Sequence, residues 1–79
     1  MDEHTVEVEV VTHWESYDRL SFLQQALRAR PELLGPSVRG DPRRRMIGVT
    51  VTVQAASESE ARDIAGRAVL DEMARLGLA

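Results

Sequence analysis

A row of acidic and imidazole side chains near the N-terminus has the composition of a metal-binding or acid–base site. Glu7, Glu9 and His13 occupy odd-numbered positions in a stretch that alternates polar residues with valine. If that stretch is a strand, alternate residues project from one face about 7 Å apart and form a line. Carboxylates and imidazole bind divalent cations and exchange protons. The same alternation also describes the hydrated face of an ordinary sheet, which is the interpretation we favour.

Four arginines within seven residues form a second candidate site, for an anion or for a partner protein. They are Arg39, Arg43, Arg44 and Arg45. Guanidinium groups bind phosphates and carboxylates through paired hydrogen bonds. The alternative interpretation is a charged, solvent-exposed turn, which in an oligomer would face the acidic strand of a neighbouring copy.

The composition argues against nucleic-acid binding at these arginines. The formal net charge is −3, and the chain contains one Trp, one Tyr and one Phe. Affinity for nucleic acid comes largely from phosphate neutralisation, and sheets that bind RNA stack bases on aromatic side chains. Binding through the arginine-rich turn is therefore a subordinate hypothesis.

The sequence predicts neither a catalytic residue nor a cofactor. The chain has no cysteine, and no glycine-rich phosphate-binding loop precedes a helix. Ser16, Ser57 and Ser59 fall where helices are expected to begin, so helix capping explains them. We therefore favour a protein without catalytic activity of its own.

The elements that would position these side chains begin with two amphipathic strands. In residues 45–55, every second residue from Ile47 onward is apolar, which is typical of a strand with one buried face. Residues 5–13 form the second such strand. Its core-facing side chains are predicted to be Val6, Val8 and Val10.

A helix is predicted over residues 17–30, capped by Ser16 or Asp18 and ended by Pro31, because the residue before a proline avoids helical geometry. Phe22 is expected to widen its apolar stripe. The core of that stripe is formed by leucines with helical spacing, Leu20, Leu23 and Leu27.

The second helix is predicted over residues 58–76. Ser57 and Glu60 have the spacing of a capping box at its start, and Gly77 suits its C-terminal cap. Gly66 lies beside an alanine-rich stripe, where small residues would let the helix lie close to a sheet.

A short edge strand is predicted at residues 37–39. Pro36, Gly35 and Gly40 leave little strand-forming sequence around it, and proline is tolerated on edge strands. A hairpin turn at residues 40–43 would then lead into the strand at 45–55.

The element order βαββα predicts an α+β, ferredoxin-like fold without its fourth strand. Right-handed crossovers and antiparallel pairing give a three-stranded sheet of order 1-3-2 with both helices on one face. The first strand would then be a long edge, and such edges invite pairing. We expect it to pair with a second copy of the chain in a homodimer, and another protein is a further possible partner.

Size and composition bound the remaining alternatives. Seventy-nine residues form a single domain over 1–79. No apolar run is long enough for a membrane span and no signal-peptide pattern is present, so a cytoplasmic location is the default expectation. The chain lacks Lys and Asn, whose codons are AT-rich, which indicates a high-GC genome of a bacterium or phage.

At the level of fold the chain resembles ACT-type and related ferredoxin-like regulatory modules. The resemblance rests on the element order, while the strand-to-helix junction at residues 49–61 is similar to that of many small α+β bacterial proteins. It implies dimerisation through sheet edges and binding of a small ligand. A ligand could also lie on the open sheet face, which would carry Met46, Gly48, Thr50, Thr52 and Gln54. A ligand-sensing or metal-sensing regulatory domain is therefore the alternative to a purely structural interaction module.

Overall fold

The computed structural model of the protein describes residues 1–12 and 18–77. Three strands and two helices follow one another in the order βαββα. They are β1 (Asp2–Val11), α1 (Leu20–Arg28), β2 (Leu34–Asp41), β3 (Met46–Ala55) and α2 (Glu58–Arg75). No helix in this described part of the chain is both long and apolar enough to cross a bilayer.

The strands form one antiparallel sheet with β3 in the middle, in the order β1-β3-β2. β1 pairs with β3 without interruption, from Asp2 opposite Ala55 to Val11 opposite Met46. The predicted α+β, ferredoxin-like arrangement with sheet order 1-3-2 is therefore confirmed. The first strand begins at Asp2, earlier than predicted, and its described part ends at Val11.

The core lies between one face of the sheet and the two helices. α1 packs on β2, and α2 packs across β1 and β3. As predicted, alternate residues of β3 are buried on this face, and Val6 of β1 is only 2% exposed. Val8 and Val10 also face the core but are only partly buried. The helices contribute Leu23, Leu27, Ala61, Ala65, Ala68, Val69 and Met73.

β2 is longer than the predicted strand at residues 37–39 and includes eight residues. Its register against β3 shifts between Leu34 and Ser37. That irregularity accommodates Pro36, because proline has no N–H to donate and is tolerated at edge strands and bulges. The prediction was too short because it treated the glycines and the proline as strand breakers.

The ends of α2 agree with the predicted caps. The amide of Glu60 donates to Ser57 Oγ at 3.1 Å, and Gly77 has a φ of 73°, in the left-handed region that glycine adopts without strain.

The start of α1 differs from the prediction. The helix begins at Leu20 after Arg19, which provides no side-chain cap, so the expected cap by Asp18 is wrong. Phe22 does not join the core, because 57% of its surface is exposed. The other predicted cap, Ser16, lies outside the described residues.

Candidate functional site

The open face of the sheet brings the two predicted charged sites together. Gly48 of the central strand lies opposite Glu9 on one side and opposite Arg39 on the other. The acidic row of β1 and the arginines of β2 and its turn therefore face each other across β3. His13, the third member of the predicted acidic row, lies outside the described residues.

Arg39 is the central residue of this face. Its Nη2 lies 2.6 Å from Glu7 Oε1, and its Nη1 donates to Thr50 Oγ1 at 3.2 Å. The guanidinium lies over Gly48, where an added Cβ would come within 3.2 Å of Arg39 Cζ. The absence of a side chain at Gly48 therefore gives the guanidinium a path across the central strand to β1.

The contact between Arg39 and Glu7 shifts the ionisation of both groups. The hydrogen bond from Arg39 lowers the pKa of the Glu7 carboxyl below its ordinary value of 4.5. The same contact raises the pKa of the Arg39 guanidinium. Both groups are therefore charged at neutral pH. Because the two side chains are 57% and 41% exposed, solvent screens their attraction and the stabilisation is modest.

The remaining arginines of the predicted cluster do not converge on one point. Arg44 Nη2 lies 3.7 Å from Glu9 Oε2. This ion pair is therefore separate from the pair between Arg39 and Glu7. Arg43 and Arg45 form no ion pair within residues 1–12 and 18–77. Arg45 has a left-handed φ of 54° in the turn. Two of the four arginines thus neutralise the acidic row and two remain at the exposed turn.

The space between these charges is small. A pocket of about 80 Å³ lies among Glu7, Glu9, Arg39, Asp41, Arg44, Met46 and Gly48. Ligand pockets usually have volumes of about 300–1,000 Å³, so this one has room for only a few waters or a small ion. In the described ranges no three carboxylate or imidazole side chains come together as metal ligands. Ligand binding at Glu7, Glu9 and His13 stays a prediction.

A second charged cluster, between the helices, was missed by the sequence analysis. Glu72 is only 3% exposed and accepts from Arg30 Nε at 3.3 Å and Arg75 Nη1 at 2.8 Å. The pattern contained the signal, because Glu72 continues the buried stripe of Ala65, Ala68 and Val69. A cavity of about 300 Å³ lies beside it. The cluster ties the end of α1 to α2, which is a structural role.

The two outer edges of the sheet differ in the partners of their outward backbone groups. The outer edge of β2 is capped by the carboxamide of Gln24 in α1. Its Nε2 donates to the carbonyl oxygen of Pro36 at 2.6 Å, and its Oε1 accepts from the amide of Val38 at 2.9 Å. One side chain therefore satisfies two of the outward backbone groups that a neighbouring strand would otherwise bind.

Among residues 1–12 and 18–77, no side chain caps the outer edge of β1 in this way. Thr12 donates its amide to the carbonyl oxygen of Arg45 at 2.9 Å, which extends the β1–β3 pairing by one residue. Backbone groups of a strand alternate in direction, so even-numbered residues of β1 turn toward β3. Thr5, Glu7, Glu9 and Val11 therefore direct their N–H and C=O groups away from the sheet. No strand of the described chain pairs with this edge.

Comparisons with protein-family models, with curated proteins and with solved structures found no match to this chain.

Proposed function

We propose that this protein is a small, non-catalytic interaction module of the cytoplasm that pairs with a second copy of itself along the outer edge of β1. In the homodimer the two β1 strands run antiparallel across a two-fold axis. The two three-stranded sheets then continue as one.

The observation that carries the proposal is the asymmetry of the two sheet edges. The β2 edge contains Pro36 and has two of its outward backbone groups bound by Gln24, and both features oppose pairing. The β1 edge is ten residues long and regular in register, and no strand of the described residues covers the outward groups of its odd-numbered residues. Long, regular, open edges pair readily with another strand.

The ion pairs on the open face remove an electrostatic obstacle to this pairing. Glu7 and Glu9 of one copy would lie near the same residues of the other, and like charges on adjacent strands repel. Arg39 and Arg44 neutralise both carboxylates within each copy. The repulsion between the two acidic rows is therefore reduced before the copies meet.

The experiment measures the oligomeric state by sedimentation velocity over a dilution series in the micromolar range. The wild-type protein is expected to dissociate on dilution. Glu9→Pro removes an outward N–H and should shift the chain to monomer. Glu9→Ala is the matched control, because it removes the side chain but keeps the N–H.

Two results would contradict the proposal. One is a wild-type protein that remains monomeric at every concentration. The other is a dimer that Glu9→Pro leaves unchanged while circular dichroism shows a native fold. Val11→Lys provides a second test, because a lysine on an edge strand opposes pairing without altering the backbone.

A further inference from the structure

Gly66 lies in the interior of α2, and the described residues of its own protomer give it no packing reason. Apart from its chain neighbours and the adjacent helix backbone, no described heavy atom lies within 4 Å of the position that a Cβ would occupy. The prediction that Gly66 lets the helix lie close to the sheet is therefore wrong. Glycine is among the least favourable residues for a helix interior, so the fold of one copy gives no physical reason for it.

The flank of α2 that carries Gly66 is the one farther from α1. Leu70 and Met73 follow Gly66 at helical spacing and share its side. The opposite flank is fixed by contacts, because Glu72 and Arg75 face α1 beside Ala26 and Ala29. We call the side containing Gly66 and Leu70 the outer flank of α2.

The outer flank lies above the open edge of the sheet, where the core is least covered. Leu70 is 49% exposed. Beneath α2, Val8 and Val10 of β1 are only partly buried, although the residues of β3 opposite them are fully buried. Partly exposed apolar side chains thus lie both on β1 and on the outer flank.

The spacing of the proposed dimer brings the two outer flanks into contact. Adjacent strands are about 4.8 Å apart, and α2 packs across β1 and β3. If its axis lies midway between those strands, pairing of the two β1 strands places the two α2 axes about 10 Å apart. Packed helices have axes about 8–10 Å apart, and a glycine at the crossing favours close approach.

Charged residues of both signs border this contact. Arg62, four residues before Gly66, is paired with Glu58 at 3.0 Å within the same helix, and Asp63, three residues before Gly66, is exposed. A two-fold axis makes the contact self-complementary, with the same residues on both sides.

We infer that the outer flank of α2, centred on Gly66 and Leu70, packs against the same flank of a second copy and completes the core over β1. This inference rests on the proposed pairing of β1. It adds a helix–helix contact to the backbone pairing and gives Gly66 a role that one copy alone does not.

The test compares two exposed apolar residues that are replaced by the same charge. Leu70→Glu should weaken the dimer at least tenfold, because it places a carboxylate in the helix contact. Phe22→Glu is the matched control: Phe22 is 57% exposed on α1, on the β2 side of the molecule, and its replacement should leave the dimer dissociation constant unchanged.

A second variant separates the contact from the stability of one copy. Gly66→Leu should raise the thermal midpoint under dilute, monomeric conditions, because the space around Gly66 is open and leucine favours helix. It should nevertheless weaken the dimer at least tenfold. A purely intramolecular role of Gly66 does not predict these opposite effects.

The outcomes distinguish this inference from the proposed function. If Glu9→Pro abolishes the dimer and neither Leu70→Glu nor Gly66→Leu changes it, the inference is overturned and the β1 pairing stands. If the wild-type chain is monomeric, both fall. If the dimer weakens with Leu70→Glu and Gly66→Leu but not with Phe22→Glu, the helix contact is supported.

Discussion

Gln24 donates from its Nε2 to the carbonyl oxygen of Pro36 across 2.6 Å, which joins the middle of α1 to the outer edge of β2. The same side chain accepts from the amide of Val38. A carboxamide has one donor side and one acceptor side, as a backbone peptide does. Gln24 therefore binds two backbone groups of β2 that a neighbouring strand would otherwise bind.

The first prediction is that Gln24→Ala destabilises the protein and opens the β2 edge. Two partly buried backbone groups lose their partner, which should lower the free energy of unfolding by about 1–3 kcal/mol. Urea denaturation measures the loss. Gln25→Ala is the matched control, since Gln25 is the exposed neighbour on the same helix. An equal loss in the free energy of unfolding for the two substitutions would show that the cap does not stabilise the fold.

The second prediction concerns pH. The pKa of Glu7 is lower in the folded protein than its ordinary value of 4.5, because of the hydrogen bond from Arg39. The unfolded chain then binds the proton more readily, so the stabilisation is complete above the unfolded pKa and is lost as the pH falls through the folded pKa.

Glu7→Gln should remove this dependence. The variant should unfold more easily than the wild type at neutral pH, and the difference should shrink as the pH falls below 4.5. Denaturation curves between neutral and acidic pH measure it. Glu3→Gln, on the same face of β1, serves as control. A difference that stays constant with pH would mean that the charge of Glu7 contributes nothing to stability.

The third prediction compares the members of the cluster between the helices. Glu72→Ala should destabilise the fold by about 2 kcal/mol, because it leaves the partly buried Arg30 without its closest carboxylate. Arg75→Ala should cost less than about 1 kcal/mol, since a side chain that is 77% exposed is screened by water. Denaturant unfolding of both variants tests the order. A larger effect of Arg75→Ala would contradict it.

The elements were predictable from the sequence where local patterns agree with the tertiary environment. The alternation from Ile47 to Ala55 and the Ser57 cap depend on neighbours in the chain, and both were correct. The predicted β2 was too short because its strand geometry depends on contacts with residues distant in the sequence. Pairing with β3 and the side chain of Gln24 stabilise a segment whose own propensity is poor.

The relationships between the charged residues were not predictable in the same way. Glu7 and Arg39 lie on different strands, and their contact depends on the register of both strands against β3. The small residue at Gly48 then lets the guanidinium cross. Glu72 was not predicted because a carboxylate at a core-facing position was not expected to be buried while pairing with two arginines that reach solvent.

The cap on β2 has a consequence for how far assembly can proceed. A sheet that recruits strands at both margins can grow into a fibre, whereas one that recruits at a single margin stops after two copies. Gln24 would therefore help to limit the proposed association to two copies. If the proposed dimer forms, a variant that lacks both Gln24 and Pro36 is expected to form open-ended polymer, with turbidity that increases over time.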